Sequence, residues 1–271
     1  MVAIAGQTAW VTGASSGIGR ALALALDAAG AHLILSGRRA DALAAVADQL
    51  SREALILPFE ATDFSALPDV VAQASSWRGG IDILVNNAGI SQRSFAVDTD
   101  VAVYDRLIMT DLLAPIHLTQ HCLPSLTRQR GGAVVAISSV AGRAGVALRT
   151  GYCAAKHGLI GYMDALRAEC EVSLGLHVLN VLPGSVATDV ARNAIDAHGE
   201  PQGHSDPQID AGFAPDDCAA AIVAALAAGE RELLFAQGVE ADIARLRHDD
   251  PATLFERTAA IGAMMFAKRD A

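Results

Sequence analysis

Short apolar runs alternate with helical stretches along nearly all of this 271-residue chain. The runs lie at residues 8–12, 31–36, 54–59, 81–85, 134–137, 176–182 and 232–235. Unbroken apolar runs of that length fit strands buried on both faces. Helical patterns fill the gaps: from a glycine turn to residue 30, then at 41–50, 66–77, 101–128, 152–173 and 215–228. Parallel strands need crossover connections, and helices supply them. The expected fold class is therefore α/β, a parallel sheet doubly wound with helices on both faces. Its ligand belongs at the carboxyl ends of the strands. No repeat, low-complexity stretch or linker divides the chain, so residues 1–271 read as one domain. Residues 189–214 lose periodicity and gather Gly, Pro, His and Asp, which predicts a mobile loop or lid. His198 and His204 in it read as solvated. Residues 239–271 form a helical tail in which Met264, Met265 and Phe266 read as packing or a subunit contact.

The first strand runs straight into Thr12-Gly13-Ala14-Ser15-Ser16-Gly17-Ile18-Gly19 and then into an Ala/Leu-rich helix. Strand, glycine turn and helix in that order make the setting of a phosphate-binding loop. The glycines let the backbone approach a pyrophosphate, and the helix N-terminus offers free N–H groups and a partial positive charge. A purely structural turn is the alternative. After the second strand comes Gly37-Arg38-Arg39, with no carboxylate before Asp41. An acidic residue there would hold a ribose 2′-hydroxyl; two arginines suit a 2′-phosphate. NADP(H) is therefore expected over NAD(H), against the alternative of a solvated basic turn. The fourth strand ends in Asn86-Asn87-Ala88-Gly89, small and amide residues that suit either a flat ligand or bracing of the sheet.

The run at 134–137 leads through Ser138 and Ser139 and a Gly-rich loop to Tyr152, with Lys156 four positions on. That spacing puts phenol and ammonium on one helix face. A nearby cation favours phenolate, so the tyrosine could exchange a proton nearer neutral pH. Ser139 ends the strand and could hydrogen-bond the same substrate oxygen. An exposed Tyr–Lys pair is the alternative. Of the 20 basic side chains only Lys156 and Lys268 are lysine. Where arginine is the default cation, a lysine here suggests a need for a compact ammonium.

Composition narrows the partners. A formal charge of −10 and a pI near 5.2 argue against nucleic acid and anionic membrane. Cys122, Cys153, Cys170 and Cys218 show no metal-like spacing and read as reduced thiols of a cytoplasmic protein. No apolar run reaches membrane-spanning length, and no metal is expected.

Thr12-Gly13-x-x-x-Gly17-x-Gly19, Asn86-Asn87-Ala88-Gly89, Ser139, Tyr152-x-x-x-Lys156 and Pro183-Gly184 stand in one order. Together they resemble the short-chain dehydrogenase/reductase family over residues 6–236. The stretch 148–157 looks most like its steroid and retinoid reductases. The resemblance implies a Rossmann-type fold of about seven strands and an NAD(P)-dependent oxidoreductase acting on a small alcohol or carbonyl compound, as a homodimer or homotetramer. It makes Tyr152 the general acid/base, with Lys156 tuning it and holding the nicotinamide ribose, and Ser139 orienting the substrate. Gly13, Ser15, Ser16, Gly17, Ile18 and Gly19 would line the pyrophosphate and adenosine ribose. Arg38 and Arg39 would meet the 2′-phosphate, and Glu60 and Ala61 the adenine. Asn87, Ala88 and Gly89 would flank the cofactor; Pro183, Gly184, Val186 and Thr188 would hold its nicotinamide end. Val146 and Leu148 would shape the substrate pocket.

Two positions depart from that pattern. Asp111 stands where relatives carry an Asn of a water-linked proton relay, and Glu60 where they often have Asp. The first leaves open a second reading, a nucleotide-binding regulatory protein with weak turnover.

Overall fold

The computed structural model describes residues 1–269, and its first strand, β1 (Thr8–Thr12), has all five residues buried inside the sheet. Its side chains alternate between faces. Ala9 and Val11 join one hydrophobic cluster and Trp10 the other. The order along the chain is β1, α1 (Gly17–Ala28), β2 (His32–Ser36), α2 (Ala40–Ala47), β3 (Leu55–Ile56), α3 (Leu67–Ser76) and β4 (Ile83–Asn86). Next come α4 (Val101–Ile108), a π-helical turn (Met109–Leu113), α5 (Ala114–Leu126), β5 (Ala133–Ile137) and α6 (Thr150–Leu174). Last are β6 (His177–Pro183), α7 (Pro207–Asp210), α8 (Pro215–Ala228), β7 (Glu232–Phe235), α9 (Gly238–Asp249) and α10 (Pro251–Arg269).

The sheet has seven strands in the order β3-β2-β1-β4-β5-β6-β7, every pair parallel. The doubly wound α/β expectation holds. Helices α1, α2 and α8 cover one face, where Leu22, Leu26, Leu43 and Ile222 pack on Val11, Leu35 and Val181. Helices α3, α5 and α6 cover the other, where Val71, Leu118, Leu159 and Met163 pack on Trp10, Leu84 and Val134. Strand order reverses between β1 and β4, which opens a crevice at their carboxyl ends.

Four local features differ from the sequence reading. The ladder of β3 is two residues long, although Leu57 N and Phe59 N go on donating to Leu35 O of β2 and Gly37 O just beyond it; Pro58 is tolerated there because β3 is an edge strand. The helical stretch 101–128 breaks before Pro115, which has no N–H for the Asp111 carbonyl, and Ala114 N–H reaches back to Met109 O instead. The tail breaks at Asp250–Pro251 into two helices. Residues 189–214 are pinned rather than loose. Ile195 is buried and bridges in parallel to Gln92, Val186 bridges to Phe213, and Asp206 pairs with Arg93. Phe266 stacks edge-on against Phe95 at 5.0 Å, while Met264 is exposed. His198 is exposed beside Asp100, 3.0 Å away. Among the described residues no helix is long and apolar enough to cross a membrane, and no cluster of His, Cys, Asp and Glu could hold a metal.

Trp10 ties three strands together. Its Nε1–H donates to Ser36 Oγ at 2.8 Å, and that hydroxyl donates to Leu57 O at 2.6 Å. Trp10→Ala is expected to cost about 3–5 kcal/mol through the cavity and the lost hydrogen bond to Ser36 Oγ. Urea unfolding followed by circular dichroism measures it, and a loss under about 1 kcal/mol contradicts this account.

Candidate active site

The glycine turn lies at the carboxyl end of β1, and its shape is set by contact. A Cβ on Gly19 would stand 2.2 Å from Gly13 O and 2.4 Å from Asn87 Nδ2. Gly13 has φ +64°, and a Cβ there would meet Ala88 Cα at 2.9 Å. Neither position admits a side chain. Helix α1 begins at Gly17, with Ser16 extended and offering no side-chain cap, and no acidic residue occupies its first turn. Its first amides are left for an anion, which the helix dipole also favours. Ser15 and Ile18 sit in the same turn. These residues fit the pyrophosphate of a dinucleotide.

Thr12 holds that turn against the next strand. Its hydroxyl accepts from Asn87 N at 3.0 Å and Ala88 N at 3.1 Å and donates to Val85 O at 3.1 Å. Asn87 Nδ2 donates to Thr12 O at 2.9 Å, so this amide braces the glycine turn. A recess beside it is lined by Thr12, Phe59, Ala61, Asn86, Ala88 and Thr110. Ala61 and Ala88 thus border one small recess beside the glycine turn. Glu60 folds onto Thr62 at the rim, accepting from its hydroxyl at 3.2 Å. Arg38 and Arg39 are exposed just past β2, beside the turn, where Ala14 N donates to Ser36 O.

The reacting end is built from β5, the π turn and α6. Tyr152 and Lys156 share one face of α6, with the Lys156 Nζ 5.6 Å from the Tyr152 ring centre. The ammonium is buried. It donates to Ile137 O at 3.0 Å and pairs with Asp111 Oδ2 at 3.3 Å. Burial alone would lower the Lys156 pKa; the Asp111 carboxylate, with the Tyr152 oxygen behind it, outweighs that and holds it above the ordinary value. Burial pushes the Asp111 carboxyl up, while Lys156 and the Ile90 N–H, 2.9 Å from Oδ1, pull it back. The carboxylate also lies against Gly89. Ser138 Oγ donates to Lys156 O at 3.2 Å and fastens β5 to α6. Ser139 is extended at the end of β5, its hydroxyl accepting from Ala141 N at 3.1 Å and donating to Pro183 O at 3.4 Å.

The loop after β6 closes the other side. Pro183 ends the strand, Gly184 N donates to Phe235 O, and Val186 is buried. Thr188 reaches the glycine turn, its Cγ2 3.1 Å from where a Cβ of Gly17 would stand. Glu240 of α9 grips this loop, accepting from Ser185 N at 2.7 Å and Ser185 Oγ at 2.8 Å.

Contacts at the carboxyl end of the sheet join the glycine turn to Asn87 and Ala88, Gly89 to Asp111 and Lys156, Ser139 to Pro183, and Thr188 back to Gly17. Sequence reasoning missed the Thr12 hydroxyl, the Ile137 carbonyl, Gln92 and Glu240. Only Thr12 could have been found, as the polar residue ending an apolar strand beside the glycine turn. All four cysteines are buried and free, and burial pushes the Cys218 thiol up to about 12. None offers a reactive thiolate.

Comparison with known proteins agrees with this geometry. The sequence profile described as short chain dehydrogenase matches residues 7–199. Dehydrogenase/reductase SDR family member 7 of Mus musculus is 40% identical over 192 residues, 68% of this chain and 57% of the mouse protein. The chain thus matches little more than half of that relative's length. Dehydrogenase/reductase SDR family protein 7-like of Anopheles gambiae is 34% identical over 92% of this chain and 81% of its own. A short-chain dehydrogenase from Streptomyces avermitilis superposes with a TM-score of 0.80 at 28% identity, over 95% of this chain and 97% of that one. The profile match, the relatives and the seven-stranded sheet agree: this chain belongs to the short-chain dehydrogenase/reductase family of oxidoreductases.

Proposed function

We propose that this oxidoreductase interconverts a secondary alcohol and a ketone, or a primary alcohol and an aldehyde, with NADP(H) preferred to NAD(H) and Tyr152 as general acid/base. The observation that carries the reading is the buried Lys156 ammonium, fixed over the Tyr152 ring by Asp111 and the Ile137 carbonyl. A nicotinamide cofactor bound in the crevice would supply or take up the hydride. In reduction the Tyr152 hydroxyl gives its proton to the carbonyl oxygen, and in oxidation it takes that proton back. Ser139 orients the same oxygen by turning its single hydroxyl proton from Pro183 O, 3.4 Å away, to the substrate. Lys156 has three donors and hydrogen-bonds Ile137 O with one while it faces Asp111 as an ion pair, so donors remain for a ribose hydroxyl or the phenol. Gly13 to Gly19 cradle the pyrophosphate, and Arg38 and Arg39 take the 2′-phosphate. Residues 183–188 hold the nicotinamide end. On this reading the chain is one domain working in the cytoplasm as a homodimer or homotetramer. Its four buried free thiols suit that compartment, and the exposed Met264 and Phe266 suit a subunit contact.

Cofactor choice rests on the arginines. NADP(H) is expected to bind more tightly than NAD(H), and Arg38→Asp to reverse the order. Nucleotide fluorescence titration reads both affinities; equal values in the parent protein sink the preference.

Lys156→Arg keeps the charge but replaces a compact ammonium by a planar group too large for the space between Asp111 and Ile137 O. The variant is expected to fold yet lose roughly two orders of magnitude in kcat, with Lys268→Arg neutral. Turnover near the parental rate on a panel of ketones and alcohols would falsify the Tyr–Lys assignment.

Asp111→Asn tests the ion pair. The carboxylate raises the Lys156 pKa and, on the proposed mechanism, offsets the positive charge that Lys156 presents to the proton-transfer site. Removing it lowers the Lys156 pKa and leaves the ammonium charge uncompensated, so the pH–rate profile is expected to move to lower pH with activity retained. A profile that stays put means that only the backbone matters at this position.

A further inference from the structure

Gln92 lies in the crossing from β4 to α4 and is fully buried. Its side chain reaches the start of α6. Oε1 accepts from Gly151 N at 2.8 Å and from Tyr152 N at 3.3 Å, across 59 and 60 positions of sequence. These are first-turn amides, which no carbonyl within a helix can satisfy. The residue before the helix, Arg149, offers no side-chain cap. Two donors on one side fix the amide's orientation, and Nε2 correspondingly donates to Ser94 Oγ at 3.0 Å. Ser94 N in turn donates to Leu148 O at 3.0 Å, so one short segment holds the entry to α6 at two points.

The backbone of that segment is held from the other side. Ile195 N donates to Ser91 O at 2.8 Å, and Arg93 N donates to Ile195 O at 2.9 Å. Arg93 also pairs with Asp206, and Gln202 Nε2 donates to Arg93 O at 3.1 Å. Ile195 packs with Val103 and Leu107 in a cluster that Tyr152 and Ile90 flank. The 189–214 segment therefore grips residues 91–93, and Gln92 grips the helix that carries the phenol.

Resting on the reading of Tyr152 as acid/base, we propose that Gln92 is a positioning residue for it. Gln92 caps the Tyr152 helix from a distant loop and makes the placement of the phenol depend on how the 189–214 segment is seated. A change in that segment reaches Tyr152 through one amide side chain.

Amide hydrogen exchange on the full chain tests the cap, and steady-state kinetics test its consequence. In the parent protein the Gly151 and Tyr152 amides are expected to be protected. Gln92→Met fills the same space without the acceptor. It is expected to speed exchange at these two amides roughly five- to tenfold and to lower kcat about tenfold, with the Kd for NADPH within about twofold of parental. Gln92→Glu keeps an acceptor over the same amides, where a negative charge is favoured, and is expected to restore the protection. Asp206→Asn frees Arg93 and is expected to speed exchange at Tyr152 to a smaller extent. If Gln92→Met does not fold, Ser94→Ala gives the milder version, stripping the partner from Nε2 while leaving Gln92 in place. Unprotected amides in the parent, or exchange unchanged in Gln92→Met, overturn the cap. Faster exchange at parental kcat overturns the positioning role, and an inert Asp206→Asn overturns the link to the segment. If the parent binds NADPH and turns over nothing on the carbonyl panel, the acid/base reading falls and the exchange data alone decide for or against the cap.

Discussion

A buried ammonium is the constraint around which the reacting half of this protein is arranged. An unpaired charge away from water costs several kcal/mol, so Lys156 needs partners within bonding distance. Two separate elements bring them: the last carbonyl of β5 and the carboxylate at the centre of the π turn. Each has its own reason to be there. The carbonyl of Ile137 is available because β5 ends at that residue. The carboxylate is turned inward because Pro115 withholds the N–H that would keep the helix regular across Asp111. Packing of α6 on β5 and the geometry of the site are therefore one arrangement, and the Ser138 bond to the Lys156 carbonyl reinforces it.

The nucleotide half works on a different principle. On the proposed reading it would hold its ligand with backbone groups: the open amides of α1 and the close approach of Gly13 and Gly19 to the neighbouring strand end. Charge enters only at the edge, through two exposed arginines. The division suits the chemistry. A pyrophosphate needs donors in a fixed curve, which main chain supplies without side-chain entropy, while proton transfer needs one phenol held at one place.

The strand–helix alternation made the α/β class and its parallel sheet readable, because both periods are written in the side chains. The Tyr152–Lys156 pair was readable from its spacing, and the glycine turn from its place between strand and helix. What could not be read are contacts whose partners are main-chain atoms or lie far apart in sequence. The Ile137 carbonyl has no sequence signature. Gln92 looks like any polar residue in a loop, and its role appears only when the fold brings it to Gly151. Glu240 sits beyond the last strand, where the pattern shows only a helix. Residues 189–214 look structureless because their order comes from isolated bridges to residues 91–93 and 213, which leave no periodicity.

Glu240 bears on the order in which the site is assembled. Its carboxylate meets the Ser185 amide and hydroxyl across 55 positions, from a helix that follows the last strand. A chain growing from its amino end carries β1, the glycine turn and β4 long before Glu240 is made. Glu240 thus joins the loop after β6 to a helix made after every strand of the sheet, so the anchor of that loop is among the last contacts to become available as the chain grows.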